Sequence, residues 1–166
     1  MARLFLSTGE NFATVGAATV GTNNIVGTNG AEIVFVAADG DAVFDASFNR
    51  GNDEIHIGGN AALYTVTRSG SNIVLTAANG ANITIPFSTS HTSIVFADAT
   101  RDLFFDSTAS KLCLGDQVVP STGTGVVVEP GSGGTGGGGG GGSTSTTLRL
   151  TVSADDLEGT EGNARF

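Results

Sequence analysis

Ile73-Val-Leu-Thr-Ala-Ala-Asn79-Gly80-Ala-Asn-Ile-Thr-Ile85 decides the fold class. Successive side chains of a strand point to opposite faces, so Ile73 and Leu75 share one face and Ile83 and Ile85 another matching one. Asn-Gly between two such runs is the strongest short hairpin signal, because both residues tolerate φ > 0. Upstream, Tyr64-Thr-Val-Thr-Arg-Ser-Gly-Ser-Asn-Ile-Val-Leu75 reads as a second pair of alternating strands around Arg68-Ser-Gly-Ser71. A further turn falls at Ala97-Asp98-Ala-Thr100, and Pro86 sits at a strand end, where its missing N–H costs least.

The same kind of burst recurs outward in both directions. Upstream lie Glu32-Ile-Val-Phe35, Ala42-Val-Phe44 and Glu54-Ile-His-Ile57; downstream lie Ser93-Ile-Val-Phe96 and Asp102-Leu-Phe-Phe105. From Ile73 through Ile83 and Ile94 to Leu103 the steps are 10, 11 and 9 residues. Such spacing marks an all-β sandwich, meander or solenoid. No burst sustains an i, i+3, i+4, i+7 pattern, so helices are excluded. The expected fold is an all-β antiparallel meander or sandwich of short strands, with a β-roll or β-solenoid as the alternative. Tyr64, Val66, Ile73, Leu75, Ile83, Ile85, Ile94, Phe96, Leu103 and Phe105 are the expected core.

Composition divides the chain of 166 residues into three. Residues 1–120 form the β module, long enough to bury a core of its own. Residues 121–147 are Gly/Ser/Thr-rich, with seven consecutive glycines at Gly136–Gly142, and read as a flexible linker. A coil of that length has an r.m.s. span of roughly 26–31 Å. Val126-Val127-Val128 is an apolar island inside it, able to pair transiently with the module. Residues 148–166 regain pattern and read as the start of a further segment that breaks off at Phe166.

Charged residues make up only 14 %, so Thr, Ser, Asn and Gly supply most of the polar surface. The net charge is −9, and the seven basic residues are scattered, which argues against nucleic-acid binding. The acidity keeps the chain soluble or holds a cation. The N-terminus has too short an apolar run for a Sec-type signal, and no stretch approaches the ~18–20 apolar residues of a membrane span. Cys113, the one cysteine, sits between Leu112 and Leu114 and reads as a small buried hydrophobe.

Catalytic patterns are missing. Alternation puts His56 on the face opposite Ile55 and Ile57, and His91 lies in a polar turn, Ser88-Thr-Ser-His-Thr-Ser93. Acid–base work needs a partner within reach, and both read as solvent-facing or partly satisfied histidines rather than catalytic ones. There is no zinc spacing and no Gly-x-Ser-x-Gly elbow, and the polyglycine lacks the Gly-Lys-Ser/Thr of a phosphate loop. The pairs Asp39-Gly-Asp41 and Asp53-Glu54 read first as turn caps. The chain is expected not to be an enzyme.

Three segments share part of a glycine skeleton: Gly27-Thr-Asn-Gly30-Ala-Glu32-Ile-Val-Phe35, Gly51-Asn-Asp53-Glu-Ile55 and Gly159-Thr-Glu-Gly162-Asn-Ala-Arg-Phe166. They resemble the Gly-Gly-x-Gly-x-Asp-x-apolar-x nonapeptide of repeats-in-toxin (RTX) proteins. Here Glu32 replaces the first Asp, Asp53 keeps the second and Ala164 removes the third, and the matches are isolated rather than consecutive. The stretches Ile57-Gly-Gly-Asn-Ala-Ala-Leu-Tyr64 and Leu148-Arg-Leu-Thr-Val-Ser-Ala-Asp-Asp156 are similar to modules beside such repeats.

The resemblance implies a type I-secreted or surface protein of Gram-negative bacteria, exported without an N-terminal signal peptide. It also implies Ca²⁺ as the cofactor, with Glu32, Asp39, Asp41 and Asp53 as candidate ligands. The leading expectation is a non-enzymatic extracellular or cell-surface structural or adhesive module, partnered by copies of itself or by other matrix components. The alternative is a calcium- or carbohydrate-binding accessory module of a secreted enzyme.

Overall fold

A computed structural model describes residues 2–7, 11–15, 22–50 and 52–130. The remainder of the expected linker and the segment 148–166 lie outside the described residues. All the described residues belong to one compact unit, Met1–Gly134.

The chain is all-β. The first six strands are β1 (Ala2–Phe5), β2 (Asn11–Val15), β3 (Asn23–Val26), β4 (Ile33–Val36), β5 (Ala42–Phe44) and β6 (Glu54–Ile57). They alternate between two sheets, and from β3 on each pairs in parallel with the strand two before it. The path is a two-sided roll: residue numbers rise by 19 from Asn23 to its partner Ala42, and by 21 from Ile33 to Glu54. One full coil therefore takes about twice the spacing between bursts.

An antiparallel hairpin, β7 (Tyr64–Ser69) and β8 (Asn72–Ala77), then interrupts the winding. The roll resumes with β9 (Asn82–Pro86), in parallel register on β5, and β10 (Thr92–Val95), in parallel register on β6. A meander of β11 (Thr100–Asp106), β12 (Lys111–Leu114) and β13 (Gln117–Val119) extends the second sheet. β14 (Val126–Val127) returns to the first sheet beside β7. The two seven-stranded sheets run β1-β3-β5-β9-β8-β7-β14 and β13-β12-β11-β10-β6-β4-β2. The antiparallel meander thus describes β7–β9 and β10–β13, and the roll describes the half before them.

Alternation sets which faces meet. Ile25, Val34, Ile55, Ile73, Ile83, Ile94 and Leu103 are buried between the sheets, with Tyr64 and Phe48 the largest fully enclosed side chains. Of the expected core only Phe105 is half-buried; it packs beside Phe87 and under the Arg68 guanidinium. At ~1.5–3 kcal/mol per fully buried large apolar side chain, this single layer is the main source of stability.

The Asn79-Gly80 turn forms in a different geometry from the two-residue one expected. Gly80 has φ +91°, but Asn79 is not in the positive region. Gly80 N–H donates to Ala77 O and Ala77 N–H to Ala81 O, so the loop has three residues, a tight turn closed by a glycine bulge. The Asn79 side chain accepts from Ala81 N–H and donates to Ala38 O, tying the hairpin to the preceding coil.

The end of the sandwich formed by β13 and β14 is closed by side chains. Gln117 donates to Val127 O and accepts from Glu129 N–H, Arg101 donates to Glu129 O, and Val128 is buried with its N–H on Tyr64 O. Residues 126–129 fell in the expected linker, yet they are the last layer of the module. Apolar Val126–Val128 finds an unfilled gap beside β7 and Tyr64, which outweighs the cost of ordering the glycines before it.

Candidate metal centre

Each coil makes two turns, one on either side of the roll. Turns 27–32 and 45–53 lead from the first sheet to the second; turn 37–41 leads back on the opposite side. Glu32 immediately precedes β4 and Asp53 immediately precedes β6. Because Ile33 is in register with Glu54, the two carboxylate residues stack as equivalents in adjacent coils. Glu54 N–H donates to Glu32 O, and Ser93 N–H to Asp53 O, which makes Thr92 the next member of the row.

The row is buried: Glu32 is 0 % exposed, Asp53 1 % and Thr92 2 %. Thr92 Oγ1 donates to Phe48 O, and Asp53 Oδ1 accepts the N–H of Glu32. Thr28 Oγ1 donates to Glu32 Oε1, while Glu32 Oε2 has no hydrogen-bond donor. Burying a carboxylate oxygen without a partner costs several kcal/mol on general grounds. Beside it, Asp45 Oδ1 caps the 3₁₀ turn Ala46–Asn49 by accepting from Ser47 N–H and Oγ, and Gly27 N–H donates to Ser47 Oγ at 3.0 Å.

Only a glycine fits at position 27. A Cβ there would lie 2.8 Å from Phe48 Cε2, 2.9 Å from Ser47 Oγ and 3.0 Å from Glu32 Oε2. Ca²⁺ takes about six to eight oxygen ligands at ~2.3–2.6 Å. The nearest of the three atoms at Gly27 is a ring carbon, so that position is closely packed rather than open, and the orphaned Glu32 Oε2 lies against it. Among the described residues no three acidic, imidazole or thiol side chains converge on one point, so hydroxyls, carbonyls or water would have to complete the shell.

Asp39 and Asp41 are elsewhere, in the opposite turn. They line a polar hollow of 350 Å³ with Asn79, Gly80 and Ala81. Asp41 Oδ1 accepts from Asn82 N–H at 2.7 Å, the backbone-capping role of a turn carboxylate. The four candidate ligands therefore divide into a pair that meets and a pair that lies across the roll. Thr28, Asp45 and Ser47, which do lie around Gly27 and Glu32, carry no motif in the sequence; only the repeat of 21 residues between Glu32 and Asp53 hints at the stacking.

The two histidines are on outer faces. His56 pairs with Glu54 on the outside of β6 and stacks on Phe35, with ring centroids 4.2 Å apart. Phe35, 38 % exposed, lines with His56, Val95 and Phe96 a shallow groove of 270 Å³. His91 stacks on Phe104 and lies 3.4 Å from Asp102. Cys113 is half-buried rather than enclosed; burial, then the carboxylates of Asp106 and Asp116 against the pull of Lys111, push its thiol up. Burial, then the nearby Asp39, likewise raises the Tyr64 phenol, whose O–H donates to Gly58 O.

No helix among the described residues is long and apolar enough to cross a membrane. No protein-family model matches the chain, and neither a curated protein nor a solved structure is detectably similar to it.

Proposed function

We propose that this chain is a non-enzymatic structural or adhesive module of an RTX-like extracellular or cell-surface protein, joined to neighbouring modules or copies through one end of its roll. The observation that carries this reading is the asymmetry of the two ends. At one end Gln117 and Arg101 use their side chains to satisfy the backbone of the last layer. At the other, β1 and β2 are the outermost strands of their sheets among the described residues. Phe5, on β1, is 69 % exposed. An unpaired strand edge is a template for another strand, and proteins that do not use one usually blunt it. The parallel winding of β1–β6 supports the RTX resemblance, since those repeats form rolls.

Self-pairing through this edge is testable by sedimentation. Leu6 N–H donates to Val26 O, so by alternation the backbone of Leu4 faces β3 and that of Phe5 faces outward. Phe5→Pro removes one outward donor and leaves the β1–β3 ladder in place. Concentration-dependent association that Phe5→Pro abolishes supports the reading; a chain monomeric at every concentration and inert towards surface extracts refutes it.

A second reading, a carbohydrate-binding accessory module, rests on the Phe35–His56 stack beside its groove. Retardation in polysaccharide gels that Phe35→Ala eliminates would favour it instead.

A further inference from the structure

We infer that the turn Thr28-Asn29-Gly30-Ala31-Glu32 is a self-modification site, at which the Gly30 amide nitrogen closes on the Asn29 side chain and expels ammonia. The product is a succinimide, which water opens to aspartate or isoaspartate at position 29. The step needs no partner and does not depend on how the module is used.

The chain contains two Asn-Gly steps, Asn29-Gly30 and Asn79-Gly80, and alanine follows both. Glycine after asparagine leaves the amide nitrogen open to the side-chain carbonyl, since no Cβ stands in the way. In an unfolded chain the two steps are nearly equivalent, so a difference between them comes from the fold. Asn79 is locked. Its side-chain oxygen accepts from Ala81 N–H, its amide donates to Ala38 O, and Gly80 N–H donates to Ala77 O at 2.9 Å. Ring closure there would break these bonds, and a main-chain carbonyl has no proton of its own to pass on.

Asn29 is the reverse case. Its side chain is exposed, and no hydrogen bond holds it among the described residues. Gly30 N–H donates to Thr28 Oγ1 at 3.0 Å, and Thr28 Oγ1 donates in turn to Glu32 Oε1. A hydroxyl accepts and donates at once, so amide, hydroxyl and carboxylate form a two-step proton path. Its far end is fixed, because Glu32 is fully buried. The titratable side chains packed against this turn are Asp45 and Asp53, which accept the N–H groups of Gly27 and Glu32.

The atoms balance. As Gly30 N bonds to Asn29 Cγ, its proton moves to Thr28 Oγ1 and the hydroxyl proton moves to Glu32 Oε1. The Cγ–Nδ2 bond then breaks, and ammonia leaves with the proton that Glu32 had taken. Water opens the ring at either carbonyl, and no oxidant or reductant takes part. Isoaspartate routes the main chain through Cβ, and either product adds a carboxylate to the turn that holds Glu32. The reaction consumes its own site and occurs once per chain.

The test is peptide mapping of the full chain by mass spectrometry as it ages at neutral and alkaline pH, folded and in urea. In the folded chain position 29 is expected to convert while position 79 stays asparagine; in urea the two should convert at similar rates. At neutral pH position 29 should convert faster folded than in urea. Thr28→Val should slow it by about a hundredfold, the low end of what a positioned acid–base group contributes. Thr28→Ser, which keeps the hydroxyl, should stay near the wild-type rate. Glu32→Gln should also slow it and make the rate proportional to hydroxide, where wild type varies less steeply with pH. Should Thr28→Val or Glu32→Gln fail to fold, the comparison of wild type folded and in urea decides.

A folded chain in which position 79 converts as fast as position 29 overturns the inference. So does a folded rate at position 29 no higher than in urea, or one that a folded Thr28→Val leaves unchanged.

Discussion

Gly27→Ala tests the packing around the buried Glu32 most directly. The added methyl would approach Phe48 Cε2 to 2.8 Å, Ser47 Oγ to 2.9 Å and Glu32 Oε2 to 3.0 Å. Phe48 cannot give way, because it is fully buried and packs edge-on against Phe44 with centroids 4.8 Å apart. Glu32 is equally enclosed. Ser47 is the one neighbour free to rotate, and in doing so it loses its hydrogen bond from Gly27 N–H. Overpacking of this kind costs about 1–3 kcal/mol and the lost hydrogen bond about 0.5–1.5 kcal/mol. A net destabilisation of about 2–4 kcal/mol follows from the two together. With a urea m-value of ~2 kcal/mol/M, the midpoint should fall by ~1–2 M at unchanged m. Adding Ser47→Ala to the variant should recover about 1 kcal/mol, since it removes one of the clashing atoms. A midpoint within ~0.3 M of wild type, or a double variant no better than the single one, would refute the close packing of Gly27 against Phe48, Ser47 and Glu32.

Three further outcomes are expected. Ending the chain at residue 120 removes Val128 from the core, along with both Gln117 bonds to the last layer, and should lower stability by about 2–4 kcal/mol. A chain ending at residue 134 keeps that layer and serves as the reference, and equal melts for the two truncations would contradict the closing role of β14. The Tyr64 phenol is raised above its ordinary value of 10.0, first by burial and then by Asp39. The unfolded chain thus loses this proton first, and the stability present below pH 10 is lost as pH rises through the folded value. Tyr64→Phe should cost about 1 kcal/mol at neutral pH yet decline less steeply above it, and phenolate absorbance reports this group alone because the chain has one tyrosine. Cys113, with its thiol pushed up, should react with iodoacetamide at pH 8 more slowly in the folded chain than in urea; equal rates would show an ordinary exposed thiol.

Local order was legible in the sequence, and partner choice was not. Alternation between Tyr64 and Ile85 located β7, β8 and β9 and their inward faces, because a two-residue period fixes the face whatever strand lies alongside. The same period cannot say whether Glu32-Ile-Val-Phe35 pairs with the next burst or with the one after it. The roll takes the second option, so its parallel register came only from the structure. That choice also split the acidic candidates. Glu32 and Asp39 are seven residues apart in sequence but on opposite sides of the roll, whereas Glu32 and Asp53, 21 apart, are stacked. Thr28 and Ser47 escaped notice because isolated hydroxyls carry no spacing signature. β14 was hidden by its glycine-rich surroundings, since composition weighs the segment and not the gap it fills.

The hairpin that interrupts the roll has a consequence for the order of folding. β7, β8 and β9 pair with sequence neighbours, as do β10 to β13, so these contacts close short loops and form early. β5 and β6 reach their later partners only across some 40 residues, from Ala42 to Ile83 and from Glu54 to Ser93. The first coils pair among themselves at about half that separation, so the order in contact distance is hairpin and meander first, roll next, and the seam between them last. A chain emerging from the ribosome thus meets its longest-range pairing only once residue 95 or so is made, and the seam at β5–β9 and β6–β10 is where the two halves join.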